Sequence, residues 1–237
     1  MDYFLNSDGK KILTRIIGAI QENKEYLSEI DGRIGDGDHG INMNKGFSIF
    51  EERIRDRDVA FSDGLGELGE ILLTEIGGSM GPIYGTIFCG MAERCEGAEK
   101  IDLTLYAEML RRGLEDLSEI IEAKVGDKTI VDTLAPAVEA VERSVNQGEP
   151  IDRAMASMIS AAEAIAANLA KGFPLADAIA RAKAYVTGAL AAGLAMGHGC
   201  GPLHHGFDIQ SSFCSAPMDS ADPKNPATTH PHDKNAG

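Results

Sequence analysis

The chain has no Trp, only 5% aromatic residues, and 22 basic residues against 37 acidic ones. Few aromatics among many Ala and Leu exclude a core built on large rings and favour helices packed through small side chains. A formal net charge of −15 in 237 residues argues against nucleic acid or an anionic membrane surface as partner, since both need clustered Lys and Arg. No run of 18 apolar residues occurs, so no membrane-spanning helix is expected. The first residues lack a basic stretch followed by an apolar one, so no secretory signal is read. Cys89, Cys95, Cys200 and Cys214 show no CxxC spacing and are expected to be free thiols in a reducing, cytoplasmic setting.

What is present is helical periodicity. Ile12, Ile16 and Ile20 recur at four-residue spacing. Leu65, Leu68, Ile71 and Leu72 make a second stripe, and Leu103, Leu110, Leu114, Leu117 and Ile121 a third. The segment from Asp152 to Leu169 is rich in Ala and Met. Breaks fall at Gly35–Gly40, Gly77–Pro82, Glu96–Asp102, Gly126–Lys128, Gly148–Pro150 and Gly172–Pro174. Alternating strand patterns are absent. The pattern predicts an all-α fold, an antiparallel bundle or barrel of about eight helices over residues 1–196. Residues 197–237 hold five of the nine prolines and five of the six histidines and carry no stripe, which predicts an irregular, disordered tail. Four Asp and two Lys fall in that tail, so −13 of the charge belongs to residues 1–196.

Three segments carry chemistry. The first runs from Asp31 to Asn44, with Asp31, Asp36 and Asp38 interleaved with four glycines ahead of an apolar helix. Glycines allow a tight fold in which these carboxylates converge, and converging carboxylates repel unless a hard cation such as Mg²⁺ or Ca²⁺ lies between them. Their five- and two-residue intervals do not fit the EF-hand. An Asp/Gly turn with Asp38 capping the next helix is the alternative. The second segment, Gly77-Gly-Ser-Met-Gly-Pro-Ile-Tyr-Gly85, opens a helix with a glycine-rich turn and offers amides to a phosphate, or packs helices closely. The third, Gly126-Asp-Lys-Thr129, also precedes a helix, with Asp132 on its first turn as a ligand-site residue or a cap. Gathered at one end of a bundle, the three loops would equip a phosphoryl-transfer site, and a carboxylate-held Mg²⁺ would let an acidic protein attract a nucleotide. His39 is a candidate base or phosphate donor, or a structural histidine.

At these residues the sequence resembles the nucleotide-binding subunit (subunit L, DhaL-type) of bacterial dihydroxyacetone, or glycerone, kinases. The matching motifs are Ile34-Gly-Asp-Gly-Asp-His-Gly-Ile-Asn-Met-Asn44, Gly77-Gly-Ser-Met-Gly-Pro82 and Gly126-Asp-Lys-Thr129, over roughly residues 1–165. The resemblance implies an eight-helix antiparallel barrel holding ADP or ATP through two Mg²⁺ ions. By that likeness Asp31, Asp36 and Asp38 hold the metal. His39, Gly40, Ile41, Asn42, Gly78, Ser79 and Met80 line the nucleotide, with Thr129 and Ile130 near it. It also implies a Mg²⁺-dependent phosphotransferase whose dihydroxyacetone sits on a separate kinase subunit. In one version of such systems a phospho-histidine protein of the phosphotransferase system recharges bound ADP. A nucleotide-sensing regulator, or a kinase module for another ketose or an acyl acceptor, are the alternatives.

From about Ala166 the sequence departs from the family. Arg181-Ala-Lys-Ala-Tyr185 partly echoes a lid stretch, making Arg181 a phosphate contact by likeness, and Gly197-His198 keeps only the start of a nucleotide loop. A reading-frame shift near residue 196 would account for the change: His198 to Gly206, read one nucleotide later, can spell a family-like loop. The rival is a soft-metal site on His198, Cys200, His204, His205 and Cys214, whose spacings match no known finger.

Overall fold

The structure is a computed structural model, which describes residues 3–33 and 35–170. The frame-shift reading, Arg181, the second domain boundary, the His/Cys metal alternative and the break at Gly172–Pro174 lie outside the described residues. Among the described residues eight α-helices follow one another: α1 (Gly9–Glu22), α2 (Lys24–Asp31), α3 (His39–Ile54), α4 (Phe61–Glu75), α5 (Met80–Arg94), α6 (Leu103–Ile120), α7 (Val131–Asn146) and α8 (Ile151–Ala170). The expectation of an all-α bundle is met. None of the described helices is long and apolar enough to cross a membrane.

The second and third stripes are inward faces as read: Leu65, Leu68, Ile71, Leu72, Leu110, Leu114 and Leu117 are all buried. The first stripe is corrected. Leu13 and Ile17, each 1% exposed, form the buried face of α1, while Ile16 is exposed and Ile12 and Ile20 only flank the core. Four-residue spacing alone cannot fix which neighbouring stripe points inward when two apolar stripes lie side by side. Phe47 and Phe50 of α3 are buried beside them, each contributing about 1.5–3 kcal/mol.

The chain also contains a short antiparallel pair that the sequence does not announce: β1 (Tyr3–Leu5) on β2 (Lys100–Asp102), with Phe4 opposite Ile101. Three residues are too few to show a period of two. The pair pins Tyr3–Leu5 to the bundle. Phe4 stands edge-on to Phe61 at 5.2 Å between centroids, and buried Asn6 bonds Ser62 and the Ala98 carbonyl. Two helix breaks also escape the glycine/proline reading, at Asn23 and between Arg55 and Ala60.

Antiparallel packing sets which loops share an end. Arg94 of α5 pairs with Glu108 of α6, whereas Gly90, one turn earlier in α5, lies against Asp116, two turns further along α6. That register carries the start of α5 to the segment after Ile120, so the Gly77–Ser79 turn and the α6–α7 loop occupy the same end. Tyr84 of α5 meets His39 of α3 there, with 5.8 Å between ring centroids. Helices α3, α5 and α7 therefore all begin at one end of the bundle.

Candidate metal and nucleotide site

Asp31 closes α2 and Asp38 immediately precedes α3, with the glycine-bearing turn between them. One carboxylate oxygen from each of Asp31, Asp36 and Asp38 lies within 4.8 Å of the other two. The turn doubles back because Gly37 adopts φ +78°, and the Gly35 amide bonds the Asp31 carbonyl at 2.6 Å. Close helix packing draws the two helices together: a Cβ at Gly40 would overlap the Lys24 carbonyl and lie 2.7 Å from Ser28 Oγ.

The hydrogen bonds assign separate tasks to the three acids. Asp31 Oδ2 accepts the Gly37 amide at 2.8 Å and the His39 amide at 3.4 Å, so Asp31 serves the start of α3 from across the turn. Asp38 makes no side-chain cap on α3, contrary to the capping alternative. Its Oδ2 instead accepts Asn42 Nδ2 at 2.7 Å. The Asp38 amide donates to Asp36 Oδ1 at 3.2 Å, and this bond is the main reason Asp36 is held below its ordinary value of 3.8. Asp31 stands at the C-terminal end of α2, where the helix dipole disfavours an anion. Each carboxylate pair at this separation repels by about 1 kcal/mol even at the dielectric of water. Among the described residues no Lys or Arg forms a salt bridge with any of the three. Three hard oxygen donors arranged this way fit a divalent cation that prefers oxygen.

The other expected residues divide by what they present. Ile41 is 57% exposed beside the triad. Asn42 reaches the site by orienting Asp38. Half-buried His39 places Nε2 3.5 Å from the Tyr84 hydroxyl, whose pKa burial pushes up. Gly40 is spent on contact with α2, which leaves it only a backbone role toward a ligand. Gly78, at φ +75°, and Ser79 are exposed in an open turn, whereas the Met80 side chain is in the core and has only its amide to offer. Thr129 is exposed and Ile130 packs against the core. Tyr84 is a site residue that sequence reasoning missed, although it lies within the same glycine-rich segment. A cavity of about 560 Å³ lined by Asp63, Glu67, Glu70, Glu93 and Glu96 lies toward the start of α4 and the end of α5, away from the triad.

The described residues thus form an all-helical bundle with a carboxylate triad that fits a divalent cation and glycine-bearing turns ahead of α3 and α5. Residues 33–184 match the model of the DAK2 domain, and the chain belongs to that family. It is 36% identical to the ADP-binding subunit DhaL of the PEP-dependent dihydroxyacetone kinase of Escherichia coli (strain K12), over 65% of this chain and 74% of that one. It is 41% identical to the corresponding subunit of the PTS-dependent kinase of Lactococcus lactis, over 48% of this chain and 57% of that one. A D-erythrulose kinase of Mycolicibacterium smegmatis is 30% identical over 60% of this chain but only 26% of its own length. The resemblance drawn from the three motifs thus agrees with the family found.

Proposed function

We propose that this chain is the ADP/ATP-binding subunit of a dihydroxyacetone kinase, a Mg²⁺-dependent phosphotransferase whose ketose is held by a separate subunit. The observation that carries the reading is the convergence of Asp31, Asp36 and Asp38 within 4.8 Å in a chain of this family. Two Mg²⁺ ions held by these carboxylates would supply neutralisation of phosphate charge. The chain's own residues then position the nucleotide. Asp31, fixed by two amides, and Asp38, oriented by Asn42, form a rigid anionic floor. First-turn amides of α5, unpartnered within the helix by construction, are available to phosphate oxygens beside Ser79. His39, backed by Tyr84, would donate to a phosphate.

Relatives named as PEP- or PTS-dependent support resident ADP as the working form. A phospho-histidine protein would transfer its phosphoryl group to the ADP β-phosphate, giving bound ATP. The γ-phosphoryl group would then pass to a ketose hydroxyl on the partner subunit, regenerating ADP. Residues 1–196 would form the nucleotide domain and 197–237 a tail, and the setting would be cytoplasmic. The erythrulose kinase likeness favours a second reading in which the acceptor is a four-carbon ketose.

Calorimetry with ADP, with and without Mg²⁺, tests the nucleotide reading, and lack of Mg²⁺-dependent binding overturns it. An assay with the substrate subunit, comparing dihydroxyacetone and erythrulose, separates the two acceptors.

A further inference from the structure

The loop between α6 and α7 is built around one buried charge. Asp132, the second residue of α7, is 3% exposed. Its Oδ1 accepts the Gly126 amide at 2.6 Å and its Oδ2 the Thr129 amide at 2.7 Å. A buried carboxylate is costly unless donors meet its charge. Two amides and the positive end of α7 meet it here.

Capping α7 accounts for only half of this arrangement: the Thr129 amide bond to Asp132 and the Val131 amide bond to Thr129 Oγ1 form a reciprocal capping box, and the Gly126 bond lies outside it. The Val131 amide is met by Thr129 Oγ1 at 3.3 Å, and the amides of Asp132, Thr133 and Leu134 bond the Thr129 and Ile130 carbonyls. The partners of the Asp132 carboxylate lie six and three residues back, in the loop itself. Drawing them in closes a turn in which Gly126 (φ 112°) and Lys128 (φ 60°) both take positive φ. Such a conformation in a lysine persists only where the surroundings over-determine it, and the two Asp132 bonds do so.

The turn uses two of its outer side chains internally, Asp127 Oδ2 accepting the Lys124 amide at 2.8 Å and Thr129 Oγ1 the Val131 amide at 3.3 Å, and it displays the third, Lys128. Asp127, Lys128 and Thr129 are exposed. Among the described residues, Lys128 forms no salt bridge, and the amides of Lys128 and Ile130 meet no protein acceptor. The α5–α6 register places this turn at the end of the bundle that carries Gly78 and Ser79.

We propose that Asp132 is a positioning residue for the nucleotide: its buried carboxylate holds residues 126–130 in the shape that presents the Lys128 ammonium and two free amides to the phosphates. The inference rests on the nucleotide reading above and extends it to a residue that touches no ligand. In Asp132→Asn, one amide of the turn faces an NH₂ group instead of an acceptor, and the turn loses its shape.

The test titrates ADP at saturating Mg²⁺, and separately Mg²⁺ alone, into wild type, Asp132→Asn and Lys128→Ala, at temperatures well below each melting point. Asp132→Asn is expected to keep its affinity for Mg²⁺ alone while its dissociation constant for ADP rises on the order of 10- to 100-fold. Lys128→Ala is expected to weaken ADP by roughly tenfold with no loss of helical signal. A lower melting temperature in Asp132→Asn with unchanged ADP affinity would mark a merely structural aspartate and overturn the inference. If Asp132→Asn does not fold, Lys128→Ala decides, and wild-type ADP affinity in that variant overturns the inference. Wild-type protein that binds no ADP removes the nucleotide reading and this inference together.

Discussion

The carboxylates of the Asp31–Asp38 turn and those along α4 to α7 carry the same charge and are treated in opposite ways. Along the helices five acids are each given an arginine: Arg57 with Glu67, Arg94 with Glu108, Arg112 with Glu93 and Asp116, and Arg111 with Glu142. At the turn three acids crowd together, and among the described residues no Lys or Arg forms a salt bridge with them. The glycines divide along the same line. Gly69 and Gly85 lie where a side chain would strike the facing helix: a Cβ at Gly69 would sit 2.5 Å from Cys89 Sγ, and one at Gly85 2.8 Å from the Gly69 carbonyl. Gly77 and Gly78 have nothing within 4 Å. One region is closed by its own partners, and the other is left open for something from outside.

Changing Asp36 to Ala breaks this comparison most severely. Mg²⁺-dependent ADP binding should fall at least ~100-fold by calorimetry, because a metal ligand is removed. Stability without metal should move by no more than ~0.5 kcal/mol, or rise, since a mutually repelling charge leaves an exposed position. A loss of several kcal/mol in that variant would make the turn a structural element instead.

Glycine substitutions give the next largest effect. Gly69→Ala and Gly85→Ala should each lower stability by about 1–3 kcal/mol in urea unfolding, through forced separation of α4 and α5. Gly77→Ala should change it by less than ~0.5 kcal/mol. Gly78→Ala should cost about 1 kcal/mol because its φ is positive, despite the open space around it.

The arginine pairs should matter less. Arg111→Ala removes the two bonds to Glu142, at 2.7 and 2.5 Å, between side chains each 37% exposed. Its cost should be about 0–1 kcal/mol and should shrink with added salt. Removing Glu142 as well should reveal a coupling of the same size in a double-mutant cycle.

The smallest effect concerns Cys95. Burial in the core pushes its thiol from 9.0 up to about 11. The folded state therefore holds the proton more tightly than the unfolded chain. Its contribution to stability is full below pH 9 and is lost as pH rises through about 11. Alkylation of the native protein near pH 8 should spare Cys95, and rapid modification there would show that this part of the core opens.

Much of the bundle was legible because stripes such as Leu65–Leu72 and Leu110–Leu117 bury one face of a long helix, and periodicity reports such faces directly. The inward face of α1 was not, since Leu13 and Ile17 lie next to Ile12 and Ile16 and only neighbouring helices choose between the two stripes. The strand pair was hidden for a different reason: Tyr3–Leu5 and Lys100–Asp102 are joined by contacts between distant parts of the chain. In the site, the acid triad was visible from its spacing, but the division of labour was not. Asn42 as the partner of Asp38, Tyr84 behind His39 and Gly40 as a packing position all depend on where other helices lie.

The sequence by itself determined an all-helical domain with an acidic, glycine-rich turn opening α3, because helical period and residue chemistry are local properties. Tertiary structure decided which acid does what. Asp31 and Asp36 meet only because α2 and α3 touch at Gly40, and Asp132 became an internal anchor only because its loop wraps back over it. It also decided that the starts of α3, α5 and α7 share one end, since antiparallel packing fixes register between helices far apart in the chain.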